Sequence, residues 1–224
     1  MSPRFIEFSI ACGAMWLSKE PTRRLKSGRM SPYFFNSAKF STGQTLGEIG
    51  IEYAMALKRA EWEFDVVYAP PYKGIPLATA TVIALNDLHV GDYGFATSRK
   101  EEKDHGEGGI WIGASVEGKR VVIVDDVITR GDAKREAFDL IKCHGGIPVG
   151  IAIAFDRQER GIDGALSASQ EAERHLHIPV VAIATTQELI HYLHKDPRYA
   201  DELAAIKAYQ REYGAANSFS QAPV

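Results

Sequence analysis

From Phe64 onward the chain alternates short apolar runs with stretches whose apolar residues recur at helical spacing. Residues 64–70 (FDVVYAP) predict a strand, Ile75 to Leu88 a helix, and 92–98 (DYGFATS) a further strand. After a long loop the alternation resumes with 120–126 (RVVIVDD), a helix from Ala133 to His144, and 148–156 (PVGIAIAFD). A helix near Ser167 to Leu176 then precedes 179–185 (PVVAIAT). The runs 121–124 and 180–183 are apolar on both alternations, so each strand should be covered on both faces, as parallel strands between helices are. This pattern predicts an α/β fold with a doubly wound sheet, and such sheets bind ligands at the carboxyl ends of their strands.

The flanks are less regular. Phe5 to Leu17 is loosely spaced for a helix, and a basic, turn-rich stretch follows from Ser18 to Ser31. Gly43 to Ala60 predicts an amphipathic helix with Leu46, Ile49, Tyr53, Ala56 and Leu57 on one face. Gln187 to Lys195 and Arg198 to Tyr213 predict peripheral amphipathic helices, and 214–224 (GAANSFSQAPV) reads as a loose tail.

Composition narrows the function classes. With 224 residues, 45% hydrophobic and 25% charged, the chain can bury one sizeable α/β core with an appendage. A net charge of −3 offers no general basic field, so nucleic acid is not an expected partner and any anion site must be built locally. Cys12 and Cys143 form neither a disulfide framework nor a C-x-x-C pair. The first residues carry Arg4 and Glu7 and lack a clean apolar core for a signal peptide, and no uncharged run is long enough to span a bilayer. A cytoplasmic protein without membrane contact is the expectation. The spacings His175-x-His177 and His191-x-x-His194 lack companion ligands and read as exposed helix histidines rather than a metal site.

The most informative stretch is 121–136 (VVIVDDVITRGDAKRE), a buried strand ending in Asp125 and Asp126, then a loop with Gly131, then a helix. Adjacent strand residues point to opposite faces, so the two carboxylates should not clamp one metal together. At least one can accept hydrogen bonds from sugar hydroxyls, and the loop's N–H groups with the helix start suit a phosphate. A plainer reading also exists, in which the pair merely ends the strand and Asp132 caps the helix.

This stretch resembles the signature of the type I phosphoribosyltransferases, which bind phosphoribosyl pyrophosphate (PRPP), and it is most similar to the bacterial orotate enzymes, which carry D-D-V-I-T-A-G-T-A here. The resemblance implies a central parallel sheet flanked by helices under a small N-terminal hood, with the hood at about 1–42 and the core at about 43–213. It implies that Asp125 and Asp126 hold the ribose, while Val127, Ile128, Thr129, Arg130, Gly131, Asp132 and Ala133 form the 5-phosphate loop. Arg130 and Asp132 depart from the family, which has a small residue and a threonine there; a carboxylate facing a phosphate implies weakened PRPP binding.

The likeness continues along the chain. In 25–36 (LKSGRMSPYFFN) it implies that Lys26 lies near the ribose phosphate and Phe34 and Phe35 against the orotate ring; one of the two rings is expected to be core. Residues 69–74 (APPYKG) match a pyrophosphate loop usually written G-P-A-Y-K-G, with Tyr72 and Lys73 kept and Ala69 and Pro71 different. The run 99–109 (RKEEKDHGEGG), which composition alone makes a solvated loop, matches the family's catalytic lid. There Arg99, Lys100, Lys103 and His105 meet pyrophosphate, partly from a neighbouring subunit, which implies a homodimer. Residues 156–161 (DRQERG) read as a salt-bridged turn, whereas the resemblance assigns Arg157, with Thr129, to orotate.

The implied activity is transfer of ribose 5-phosphate from PRPP to orotate in uridylate biosynthesis, with Mg²⁺ held mainly through PRPP and water rather than by protein ligands. Lys103, His105, Asp125 and Asp126 are the expected catalytic residues. Two alternatives stand: a phosphoribosyltransferase for another base, and a PRPP-binding regulator that has lost catalysis.

Overall fold

The structure, a computed structural model, describes residues 3–103, 109–128, 132–161 and 164–215. The hood begins with helix α1 (Pro3–Ala11), followed by short strands β1 (Met15–Leu17), β2 (Arg23–Arg24), β3 (Met30–Ser31) and β4 (Tyr33–Phe35). The helix expected to run from Phe5 to Leu17 therefore ends early. Gly13 adopts a left-handed φ of +74°, a conformation that stops a helix, and the next residues pair β1 with β4.

Helix α2 (Gly43–Ala60) has the predicted span and starts with a reciprocal cap between Thr42 and Thr45. The core then runs β5 (Val66–Ala69), α3 (Gly74–Asp87), β6 (Gly94–Lys103), β7 (Gly109–Gly113), β8 (Arg120–Asp125), α4 (Asp132–Cys143), β9 (Ile147–Asp156), α5 (Ala168–Leu176) and β10 (Val180–Thr185). Helices α6 (Thr186–His194) and α7 (Ala200–Tyr213) close the described chain. The predicted long loop between the strands at 92–98 and 120–126 contains structure instead. There β6 continues to Lys103 and pairs antiparallel with β7, whose five residues GIWIG are too short and glycine-rich to announce a strand.

The main sheet has six strands in the order β10-β9-β8-β5-β6-β7, all parallel except the β6–β7 pair. Its strands bury both alternations. Val67, Val122, Val124, Ala152 and Ala154 pack on the side of α2, α3 and the hood, while Val66, Tyr68, Val121, Ile123 and Ile151 pack towards α4 and α5. Strand order reverses between β5 and β8, leaving a crevice beyond their carboxyl ends. Among the described residues no helix is long and apolar enough to cross a membrane.

Candidate active site

A cleft of about 970 Å³ opens above this crevice, a volume suited to a small organic ligand. Its floor is made by the ends of β5 and β8, one wall by the hood, and the other by the turn after β9.

The β8 end supplies the carboxylates. Asp125 is buried, its Oδ1 accepting the Asp126 N–H at 2.8 Å and its Oδ2 accepting the Lys134 ammonium. Asp126 sits closer to the cleft. Its Oδ1 accepts the Val127 N–H at 2.8 Å, its Oδ2 accepts the Ser37 hydroxyl at 3.0 Å, and Lys73 Nζ stands 3.9 Å away. The Tyr53 hydroxyl donates to the Asp125 carbonyl at 2.7 Å, pinning the strand end from below. Burial and the two nearby carboxylates push the Tyr53 phenol well above its ordinary pKa, so it stays a neutral donor.

The β5 end carries Tyr72 and Lys73 on the turn before α3, with both side chains exposed. Gly74 lets this turn approach β8, since a Cβ there would sit 2.9 Å from Ala69 Cβ and 3.3 Å from the Val124 carbonyl. The hood contributes Lys26 and the aromatic pair. Strand alternation divides the pair. Phe35 is core, stacked on Phe155 at 5.8 Å, whereas Phe34 faces outward with the Arg23 guanidinium 4.1 Å above its ring.

On the third side, Arg157 is held from every direction. Its Nε donates to Glu159 Oε1 at 2.8 Å, Nη2 to Ser31 Oγ at 2.9 Å and Nη1 to the Tyr33 carbonyl at 3.2 Å. The Tyr33 ring lies 4.0 Å from its guanidinium carbon. Burial works against the charge, Tyr33 and Glu159 favour it, and the balance leaves the pKa above the ordinary guanidinium value. Glu159 in turn accepts the Tyr33 and Tyr209 hydroxyls, each at 3.1 Å. Gln210 Nε2 donates to the Tyr33 hydroxyl at 2.9 Å and to the Arg157 carbonyl at 3.0 Å. Both the salt-bridged turn and the cleft wall are thus present in 156–161, and α7, through Tyr209 and Gln210, buttresses that wall from behind. Gly214 and Ala215 continue the contact, with the Ala215 N–H donating to the Gln158 carbonyl at 2.9 Å.

Lys26, Phe34, Phe35, Tyr72, Lys73, Asp125, Asp126, Val127, Ile128 and Arg157 all line this one cleft. Arg99 does not, because its guanidinium is turned back onto the Gly109 and Trp111 carbonyls at 3.0 and 3.3 Å. Lys100 reaches only the rim, its Nζ 5.0 Å from the Tyr72 ring centre. His105, Thr129, Arg130 and Gly131 lie outside the described residues, as do the side chains of Lys103, Asp132 and Ala133.

Sequence reasoning missed Ser37, Lys134, Glu159 and Gln210. Lys134 had a signal. It precedes Ala137 and Ile141 on the buried stripe of α4, where a lysine requires a partner.

Comparison with known proteins agrees with this geometry. Residues 42–164 match the model of the phosphoribosyl transferase domain. The chain is 50% identical over 190 residues to an orotate phosphoribosyltransferase of Yersinia enterocolitica, covering 85% of this chain and 88% of the relative. It is 47% identical over 211 residues to the one of Escherichia coli, covering 94% and 97%. The crystal structure of the Francisella tularensis orotate phosphoribosyltransferase superposes with a TM-score of 0.83 at 32% identity, over 94% of this chain and 99% of that one. The chain belongs to the phosphoribosyl transferase domain family and, within it, to the orotate phosphoribosyltransferases.

Proposed function

We propose a division of labour within the cleft for the reaction of this family, transfer of ribose 5-phosphate from PRPP to orotate, giving orotidine 5'-monophosphate and pyrophosphate. The observation that carries the proposal is the pair Asp125–Asp126 at the β8 end, facing Lys73 across the strand-order reversal. The carboxylates hold the ribose hydroxyls, and their charge favours the positive character that develops at the anomeric carbon as its bond to the diphosphate oxygen breaks. A ring nitrogen of orotate bonds that carbon from the side of Phe34 and Arg157. Lys73 and Tyr72 receive the departing diphosphate, whose growing charge is what a cation here stabilises.

Magnesium belongs to this reading as a substrate-borne ion. Asp125 is engaged by Lys134 and a backbone amide, and Asp126 by Ser37 and a backbone amide, so the ion would be held mainly by PRPP oxygens and water, a usual Mg²⁺ environment. When bound, the ion neutralises diphosphate charge. The protein's own residues would position the diphosphate that carries it.

The 5-phosphate falls to the loop from Val127 to Ala133. Asp132 places a carboxylate where relatives of this type present a threonine, so we expect Asp132→Thr to lower the KM for PRPP roughly three- to tenfold with kcat little changed. Steady-state kinetics at varied PRPP would test this, and an unchanged or higher KM would refute the repulsion argument.

Arg99, Lys100, Lys103 and His105 act as a lid over the diphosphate, supplied in part across a homodimer. The β6–β7 ribbon supports this reading because it carries Arg99 away from its own cleft. The unbridged cysteines support a reducing, cytoplasmic setting. An assay with orotate, PRPP and Mg²⁺ tests the whole scheme, and mixing two inactive variants, one in Asp126 and one in Lys103, tests sharing of sites. Partial recovery of activity on mixing is expected if the lid serves the neighbouring subunit.

A further inference from the structure

Lys134 is 5% exposed and Asp125 8%, so an ammonium and a carboxylate have been taken out of water side by side. Such burial is tolerated only when the charges are paired and their remaining hydrogen-bonding groups are engaged. Here the ammonium bonds Asp125 Oδ2 and donates to the Val127 carbonyl at 2.7 Å. It therefore joins three elements: the last residue of β8, the first residue of the phosphate loop, and the first turn of α4. The second carboxylate has no such anchor, since Asp126 meets only a hydroxyl, a backbone amide and a distant, exposed lysine among the described residues.

We infer that Lys134 is a positioning residue for the ribose end of PRPP: it fixes Asp125 and the loop entrance, so that the two carboxylates of the pair are not equivalent. Asp125 is a clamped acceptor. Each of its oxygens keeps one lone pair beyond the bond already made, which sets the direction from which a sugar hydroxyl can approach. Asp126 is the adjustable member and the one that can follow the substrate. The diphosphate end is served by other residues, Tyr72 and Lys73, and does not depend on Lys134. This inference rests on the assignment of the acidic pair to the ribose made above.

Calorimetric titration of the full-length enzyme with ribose 5-phosphate and, separately, with pyrophosphate and Mg²⁺ tests it. Lys134→Met should weaken ribose 5-phosphate binding about tenfold or more while pyrophosphate binding is unchanged. In steady state the KM for PRPP should rise and that for orotate should hold. A merely structural role would not separate the two probes. If both weaken together, Lys134 acts as general positive charge or through the fold, and the inference is overturned; if neither weakens, it is overturned as well. Should Lys134→Met not fold, Lys134→Gln, which keeps a donor without the charge, is read in the same way. Asp126→Asn serves as the reference for the underlying assignment. If it loses ribose 5-phosphate binding while Lys134→Met does not, only the positioning role fails. If Asp126→Asn also binds normally, the ribose assignment falls and the inference with it.

Discussion

Replacing Arg157 with alanine will lower the unfolding free energy by about 3–5 kcal/mol, because it leaves the mostly buried Glu159 carboxylate without its main counter-charge. Arg157 and Glu159 are each 11% exposed at the side chain and 2.5 Å apart, so solvent screening discounts this pair little. Tyr33 and Tyr209 would still donate to Glu159, and Arg29 would remain 3.6 Å away, which favours the lower end of the range. Burial is the main cause that raises both phenols above their ordinary pKa, so neither tyrosine can turn into a second anion beside the Glu159 carboxylate near neutral pH. Thermal denaturation should show Tm falling on the order of 10 °C. The same variant should lose kcat/KM for orotate more than for PRPP if, as proposed, the wall it removes faces the base. A variant with unaltered Tm would mean that Glu159 finds another partner, and the network would then not be the support of this wall.

Lys103→Ala is expected to reduce kcat by about two to three orders of magnitude with PRPP affinity changed only a few-fold, the pattern of an interaction made in the transition state rather than in the ground state. The reasoning is electrostatic. The diphosphate gains charge as its bond to the ribose breaks, and in the proposed scheme a lid cation over it stabilises the barrier-top state more than the bound substrate. Pre-steady-state turnover alongside equilibrium PRPP binding separates the two quantities. An unchanged kcat would remove Lys103 from the lid's chemistry.

The core was legible because its strands are apolar on both alternations and its helices on one face. Asp125 ends such a strand and Asp126 follows it, so their place at a ligand-binding edge follows from the sheet alone. The pairing of Phe34 and Phe35 announced one inward and one outward ring, but only the tertiary contact with Phe155 decides which is which. Residues 156–161 were ambiguous because Arg157 and Glu159 are close enough in sequence to pair locally, and that pairing hides the support they receive from Tyr209 and Gln210, some 50 residues away. The β7 strand escaped notice because a five-residue edge segment with two glycines has too little periodicity to register. Lys134 shows the opposite case. Its position on a buried helical stripe was visible, yet its partner became identifiable only once the start of α4 folded back on the end of β8.

The most direct test is to follow orotate consumption and pyrophosphate release by the purified enzyme with PRPP and Mg²⁺, alone and with uracil, adenine and hypoxanthine as competitors. Stoichiometric pyrophosphate and orotidine 5'-monophosphate, formed from orotate in preference to the other bases, is the result expected. Binding of PRPP with no nucleotide formed from any of the bases, or preferential use of a purine, would contradict it.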